Sequence, residues 1–167
     1  MKNLYLTRHA KSSWDNPGLA DIDRPLNGRG KKAAPLMGKL IVDKGEKPEL
    51  LISSPANRAF STAKAFAAAM GLHETDILIK DTIYGAGVHQ LLELVHNQDD
   101  LRSSVMIFGH NPTFTLFGNM LSGENIMNIV TCGVVRIDFE FSSWKTIDFN
   151  SGRMVYYEYP KKYTDTH

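Results

Sequence analysis

The 167-residue sequence predicts an α/β domain with a largely parallel central sheet. Short apolar runs alternate with segments whose apolar residues recur at helical spacing, and this order is typical of strand–helix–strand units. Near the C-terminus, residues 135–141 change to strict alternation of apolar and polar side chains, which indicates an amphipathic, antiparallel strand. A chain of this length buries roughly 70% of its unfolded surface around one core, so we expect a single domain over residues 1–160 and a flexible tail over 161–167.

The first unit begins with the mostly apolar run NLYLT (residues 3–7), which suits a strand covered on both faces. The loop DIDRPLNGRG (residues 21–30) leads into a helix with one apolar face. Pro35 leaves two alternatives open, because the helix either begins late, at the proline, or is capped by Asn27 and contains the proline. The apolar face comprises Ala33, Leu36, Met37, Leu40 and Ile41.

Two further units repeat this arrangement, each with a proline at the first predicted helical position. ELLISSP (residues 49–55) predicts a strand followed by a helix with Ser54 as its N-cap. VMIFGHNP (residues 105–112) predicts a strand followed by a helix with Asn111 as its cap. Between these units, DILI (residues 76–79) indicates a short strand. A helix then carries Leu91, Leu92 and Val95.

The last third of the chain predicts the antiparallel edge of the sheet. KTIDF (residues 145–149) and RMVYYEY (residues 153–159) are separated by the turn NSG, so we expect them to form a hairpin at the edge. In the preceding amphipathic strand, Val135, Ile137, Phe139 and Phe141 face one way, and Arg136, Asp138 and Glu140 face the other.

Composition narrows the class of partner and compartment. The formal net charge of +1 argues against a dominant electrostatic interaction with nucleic acid or an acidic membrane. The sequence has neither an N-terminal secretion signal nor an apolar run of about 20 residues, so we expect a cytoplasmic protein. Cys132 is the single cysteine, which excludes an internal disulfide or a cysteine-based metal cluster and suits a reducing compartment.

Candidate functional side chains follow three of the predicted strands. Arg8 and His9 follow the strand of the first unit. Arg58 lies on the first helical turn after the strand of the second unit, and His110 follows the strand of the third unit. In parallel sheets, ligands bind beyond the carboxyl ends of the strands, where helix N-termini also point. We therefore expect two arginines and two histidines to meet in one crevice that binds a phosphate.

These residue types suit phosphoryl transfer. An arginine fork binds two oxygens of one phosphoryl group and keeps its charge, while a neutral imidazole is a nucleophile. His9 is the predicted nucleophile, and His110 would bind a phosphoryl oxygen. A lone strand-end histidine is more often a satisfied polar residue, so the hypothesis depends on all four residues converging. The other histidines, His73, His89, His96 and His167, are expected at the surface.

The blocks LTRHAKS, SSPANRAFSTA and FGHNP resemble the signature blocks of the histidine phosphatase superfamily, also called the phosphoglycerate mutase-like fold, over residues 3–121. DRPLNGRG resembles its SixA-type branch, the bacterial phosphohistidine phosphatases. The resemblance implies a three-layer α/β/α sandwich, a phosphohistidine formed at His9, and no metal or organic cofactor. It also implies that Arg8, Arg58 and His110 form the phosphate pocket, with Arg24 and, on weaker grounds, Ser12 binding substrate.

Two positions depart from the pattern that the resemblance implies. Many superfamily members have an asparagine where this chain has Asp15, whose negative charge would repel phosphate unless it points away or meets a basic partner. Phosphoglycerate mutase-like members carry an acidic glutamate shortly before a Tyr-Gly or Phe-Gly pair. Here the sequence is DTIYG, so Asp81 is a weak candidate for the proton donor and could equally be a turn residue.

The missing glutamate predicts the substrate class. Alkoxide leaving groups need a delivered proton, whereas a phosphorylated histidine expels an imidazole that leaves readily. We expect a signalling phosphatase whose partner is a phosphorylated protein of the histidine-containing phosphotransfer type. The alternatives are a phosphomonoesterase or mutase acting on a small phosphorylated metabolite, and a non-catalytic module that binds phosphorylated proteins. An aspartyl phosphatase motif at DID (residues 21–23) and a cysteine phosphatase loop at Cys132 are set aside, because neither has the required context.

Overall fold

The structure is a computed structural model, and it describes residues 1–164. Within these residues, six strands form one sheet. They are β1 (Lys2–Arg8), β2 (Leu50–Ser53), β3 (Ile77–Ile79), β4 (Ser104–Gly109), β5 (Val134–Phe139) and β6 (Arg153–Glu158). The helices are α1 (Gly28–Asp43), α2 (Asn57–Ala69), α3 (Val88–His96), α4 (Thr113–Ser122) and α5 (Lys161–Thr164).

The strand order is β3-β2-β4-β1-β5-β6. β3, β2, β4 and β1 are parallel to one another. β5 is antiparallel to β1, and β6 is antiparallel to β5. The predicted mostly parallel sheet with an antiparallel edge is therefore confirmed. Among residues 1–164, no helix is both long enough and apolar enough to cross a bilayer.

Side chains alternate between the two faces of the sheet, and each face has its own hydrophobic core. Leu4 and Leu6 of β1 pack with residues of α3 and α4, whereas Tyr5 between them packs with residues of α1 and α2. Because both faces are covered by helices, the central strands are apolar on both sides, as parallel sheets require. This arrangement is the three-layer α/β/α sandwich.

Two expectations about the helices are resolved by the structure. α1 begins at Gly28, and its cap Asn27 accepts a hydrogen bond from the Gly30 amide. The helix is therefore capped by Asn27 and contains Pro35, and it does not begin late at the proline. The prediction for Ser54 is wrong, because α2 begins only at Asn57 and Ser54 is not its cap. The Ser54 hydroxyl accepts a hydrogen bond from the Ala56 amide, within the turn that precedes the helix.

The predicted pairing of the terminal hairpin is also wrong. β6 pairs with β5, while the segment expected as its partner contains a 3-10 helix over Trp144–Thr146. The physical reason is burial, because Trp144 and Ile147 are almost completely buried in the core that α3 and α4 cover. The expected tail begins with the helical turn α5, and residues 165–167 lie outside the described residues.

Candidate active site

Three parallel strands carry the predicted residues to one edge of the sheet. Arg8 is the last residue of β1 and is level with Gly109, the last residue of β4. Ser53, the last residue of β2, is level with Phe108 of β4. The loops that follow these strands, and the N-termini of α2 and α4, therefore lie at the same edge.

The structure brings the four principal candidate residues together. The ring centroids of His9 and His110 are 5.4 Å apart. The guanidinium groups of Arg8 and Arg58 lie close enough to both imidazoles to lower the pKa of each. Two cations and two imidazoles thus share one small volume, as the sequence predicts.

The ring of His9 is held by the backbone of the next residue. Its Nδ1 lies 2.7 Å from the Ala10 carbonyl oxygen, which can only accept, so Nδ1 carries the proton and Nε2 has the free lone pair. The Ala10 amide donates to the Thr62 hydroxyl at 2.9 Å, which ties this peptide to α2. Burial lowers the pKa of His9 to about 3, with further lowering by His110 and the arginines and an opposing effect of the Ala10 hydrogen bond. The ring is therefore neutral at pH 7.

His110 lies against two side chains that the sequence analysis did not assign to the site. Its Nε2 is 2.8 Å from the Ser54 hydroxyl, and its ring packs edge-on against Tyr84 with centroids 5.6 Å apart. Burial and the charge of Arg58 are the main causes that lower the pKa of His110, to about 4. Its Nδ1 and the Nε of Arg8 are buried without a hydrogen-bond partner among the described residues. Such atoms are costly unless a ligand satisfies them, and a phosphoryl oxygen would do so.

The side chain that sequence reasoning missed most clearly is Asp21. Arg58 donates to it twice, from one terminal nitrogen to the backbone oxygen at 2.7 Å and from the other to Oδ2 at 3.0 Å. Oδ2 also accepts from the Tyr84 hydroxyl at 2.7 Å, and Oδ1 accepts from Arg24 at 3.0 Å. The Tyr84 hydrogen bond, followed by those of the two arginines, holds the pKa of Asp21 well below its usual range. The available signal was Asp21 lying three residues before Arg24 in a loop rich in charge.

Arg24 is placed beside these groups by its loop. Its Nε donates to the Ser13 carbonyl at 3.1 Å, one terminal nitrogen donates to the Ser12 hydroxyl, and Trp14 stacks 3.3 Å from the guanidinium carbon. Arg24 and Ser12 are both buried and in direct contact. The structure therefore joins these two candidates to the arginine–carboxylate cluster through Asp21.

Neither acidic candidate from the sequence occupies the cluster. Asp81 is exposed at the start of a 3-10 helix over Asp81–Ile83, and its side chain has no hydrogen bond within residues 1–164. Asp15 is also exposed, and its backbone amide donates to the Ser13 hydroxyl, while its carboxylate has no hydrogen bond in the described part of the chain. The placement of Asp81 gives no support to its role as a proton donor.

A cavity of about 380 Å³ adjoins His110. Its polar wall includes Arg58, Tyr84 and His110, and its apolar wall includes Ile83 and Leu91. Arg8 and His9 do not line this cavity, and His9 meets it through its contact with His110. The cavity is large enough for a small leaving group, and Arg58 lines it whereas Arg8 does not.

His73, His89 and His96 lie outside this cluster, whereas the backbone amide of Cys132 donates to the carbonyl oxygens of Arg8 and His9. His73 and His89 are exposed, and His96 is half-buried and bonded to the Ile147 carbonyl, while His167 lies outside the described residues. Cys132 is fully buried, and burial raises the pKa of its thiol. Over the described part of the chain, residues 1–164, no three His, Cys, Asp or Glu side chains are grouped so that they could hold a metal ion.

Comparison with known proteins identifies the family. The family model described as the histidine phosphatase superfamily (branch 1) matches residues 4–85. An uncharacterised chloroplast protein of Arabidopsis thaliana is 30% identical over 152 residues, which cover 86% of this chain and 69% of that protein. The chain belongs to the histidine phosphatase superfamily.

Solved structures of this superfamily have the same fold. A crystal structure from Agrobacterium tumefaciens, provisionally assigned as the phosphohistidine phosphatase SixA, is 31% identical with a TM-score of 0.81, covering 95% of this chain and 98% of that one. The protein histidine phosphatase SixA complexed with tungstate has a TM-score of 0.82 over 96% of this chain and 98% of that one, at 18% identity, which shows the shared fold. This histidine phosphatase is therefore an enzyme that uses a histidine nucleophile.

Proposed function

We propose that this histidine phosphatase removes the phosphoryl group from phosphohistidine in a protein, through a covalent phosphohistidine at His9. One observation carries the proposal. The Nδ1 proton of His9 is committed to the Ala10 carbonyl, so the ring presents a neutral, unprotonated Nε2 beside Arg8, Arg58 and His110.

The transfer follows from these positions. The Nε2 lone pair of His9 attacks phosphorus, the bond from phosphorus to the leaving nitrogen breaks, and its electron pair stays with the departing imidazole. The phosphorylated ring then carries positive charge, which the Ala10 carbonyl stabilises through Nδ1–H. Arg8 and Arg58 neutralise the phosphoryl oxygens during transfer. Water then attacks phosphorus, the bond to Nε2 breaks, and the proton of water passes to the released phosphate.

The two candidate proton donors, Asp21 and Asp81, are poorly suited to that role, which favours a substrate with a good leaving group. Expelling an alkoxide benefits from a general acid by about 10²- to 10⁴-fold. Asp21 remains ionised because Tyr84 and two arginines hold its pKa down, and Asp81 is exposed with no side-chain hydrogen bond among residues 1–164. An imidazole leaves readily once its other nitrogen is protonated, so phosphohistidine does not depend on either carboxyl group.

The rim of the site suits a protein substrate. Trp14, which stacks on Arg24, is 76% exposed, and Met127 is 98% exposed. Met127 lies in the loop in which Ile129 accepts a hydrogen bond from Arg8. Large exposed side chains next to a ligand pocket are typical of surfaces that contact macromolecules.

The experiment compares leaving groups. Turnover of a phosphohistidine peptide, an aryl phosphate and an alkyl phosphate is measured under one condition, and we expect it to decrease in that order. Equal turnover of the alkyl ester would instead favour a phosphomonoesterase acting on a small metabolite. Brief reaction with a labelled phosphoryl donor should give an acid-labile, base-stable adduct on His9 that is absent from His9→Ala.

A further inference from the structure

The carboxylate of Asp21 is the solvent-facing member of the cluster at the site. Its side chain is 49% exposed, whereas the side chains of its partners Arg24 and Arg58 are 9% and 8% exposed. A substrate that approaches from solvent therefore meets a negative charge in front of the two guanidinium groups.

The charges around the site match one phosphoryl group. Arg8, Arg24 and Arg58 are cationic and Asp21 is anionic, while the pKa values of about 3 and about 4 keep both imidazoles neutral at pH 7. Three positive charges less one leave a charge of +2, which balances a dianionic phosphoryl group. A second anionic group on the substrate would have no unpaired cation in this cluster.

Asp21 need not leave when the phosphoryl group binds. Each terminal nitrogen of Arg58 donates one hydrogen to Asp21, and a guanidinium carries five donors, so others remain for phosphoryl oxygens. The carboxylate also accepts from the hydroxyl of Tyr84, whose ring packs on His110 and lines the cavity. Asp21 does not line the cavity itself, but its carboxylate is held directly against Tyr84 and Arg58, which do.

We propose that Asp21 is a specificity-determining residue whose carboxylate disfavours substrates with a second anionic group and favours neutral or cationic leaving groups. This inference rests on the proposed function, because a phosphorylated imidazole releases a leaving group of that class. Asp21 repels a carboxylate or second phosphate near the cavity and attracts an imidazolium or ammonium group.

The test uses three aryl phosphates that differ in a remote neutral amide, carboxylate or trimethylammonium substituent and have similar leaving-group pKa values. The ratio of kcat/KM for the cationic and anionic substrates is measured for the wild type, Asp21→Asn and Asp23→Asn. Asp23 is a matched control, because it is exposed on the same 3-10 helix and its carboxylate bonds to no arginine within residues 1–164.

We expect the wild type to prefer the cationic substrate. Asp21→Asn should lower the ratio by about three- to tenfold, an effect that shrinks as salt screens the charge. Asp23→Asn should leave the ratio unchanged. A purely structural role for Asp21 would reduce turnover of all three substrates equally, and an unchanged ratio in Asp21→Asn would overturn the proposal.

Measurements on the wild type alone can also reject the role of Asp21, and they differ from the measurements that would reject the proposed function. If Asp21→Asn does not fold, a wild-type preference for the anionic substrate is sufficient to reject the inference. If the wild type forms no adduct on His9 and does not turn over the neutral aryl phosphate, the proposed function fails instead.

Discussion

At the scale of single residues, the environment of an imidazole determines what it can do. His9 is 8% exposed and close to two guanidinium groups, so protonation of its ring is disfavoured by both burial and charge. The same surroundings that keep Nε2 unprotonated would attract a phosphoryl group. Arg8 and Arg58 therefore contribute to both properties, although burial is the larger cause of the lowered pKa of His9.

The buried histidines should make folding sensitive to acid. In the folded protein the pKa values of His9 and His110 are about 3 and about 4, below the ordinary value of 6.5. The unfolded chain binds protons as the pH falls below 6.5 and the folded protein does not, so stability present above that pH is lost progressively toward the folded pKa values. Urea unfolding at about pH 7.5 and about pH 4.5 should show this loss.

His110→Gln is the control for this prediction. Removing one of the two imidazoles should make the loss of stability between neutral pH and about pH 4.5 smaller than in the wild type. Asp21 acts in a lower window, because its pKa in the folded protein lies below its ordinary value of 3.8. An identical loss in wild type and variant would contradict the burial of His110.

At the scale of secondary structure, the site depends on how α2 is attached to β1. Thr62, which is fully buried on α2, accepts a hydrogen bond from the Ala10 amide and donates to the Arg58 carbonyl. One hydroxyl thus links the residue after His9 to the helical turn that carries Arg58. This contact joins positions far apart in the chain.

Thr62→Val should reveal this link. Valine has nearly the same shape but cannot accept a hydrogen bond, so the Ala10 amide would be buried without a partner, at a cost of about 1–3 kcal/mol in the free energy of unfolding. The carbonyl that orients His9 belongs to Ala10, so kcat should fall as well. Thr62→Ser keeps the hydroxyl and should retain most of kcat. Equal kcat in both variants would show that the hydroxyl does not position His9.

At the scale of the whole molecule, the sheet has a separate core on each face, and the segment between β5 and β6 completes one of them. Trp144 is fully buried there, and its indole nitrogen donates to the Arg102 carbonyl at 2.8 Å. The segment fills part of this core with buried side chains and does not form a strand. Without it, the core beside α3 would be open to water.

Trp144→Ala should therefore destabilise the entire domain. Removing so large a buried side chain costs about 3–5 kcal/mol, a substantial part of the about 5–15 kcal/mol that stabilises an ordinary domain. Trp14→Ala is the control, since that side chain is 76% exposed and its loss should cost about 1 kcal/mol or less. Urea unfolding of both variants measures the difference. A cost for Trp144→Ala as small as that of the control would contradict its role in the core.

Local sequence determined much of the architecture. The apolar runs and helical spacings depend on neighbouring residues, so the α/β class, the parallel strands and the placement of Arg8, His9, Arg58 and His110 at one edge of the sheet could be predicted from them. The antiparallel strand at residues 134–139 could be predicted from its alternation of apolar and polar residues. The structure buries part of its polar face as well, because Asp138 is 8% exposed and pairs with Arg136.

Tertiary structure alone decided the contacts between distant segments. That β6 pairs with β5, that Ser54 bonds His110 and that Asp21 holds Arg58 are not visible in any local pattern. Each depends on contacts between residues that lie 15 or more positions apart in the chain, and a short window of sequence contains only one partner. The sequence by itself therefore determined which residues could carry the chemistry, and the folded chain decided which groups surround them.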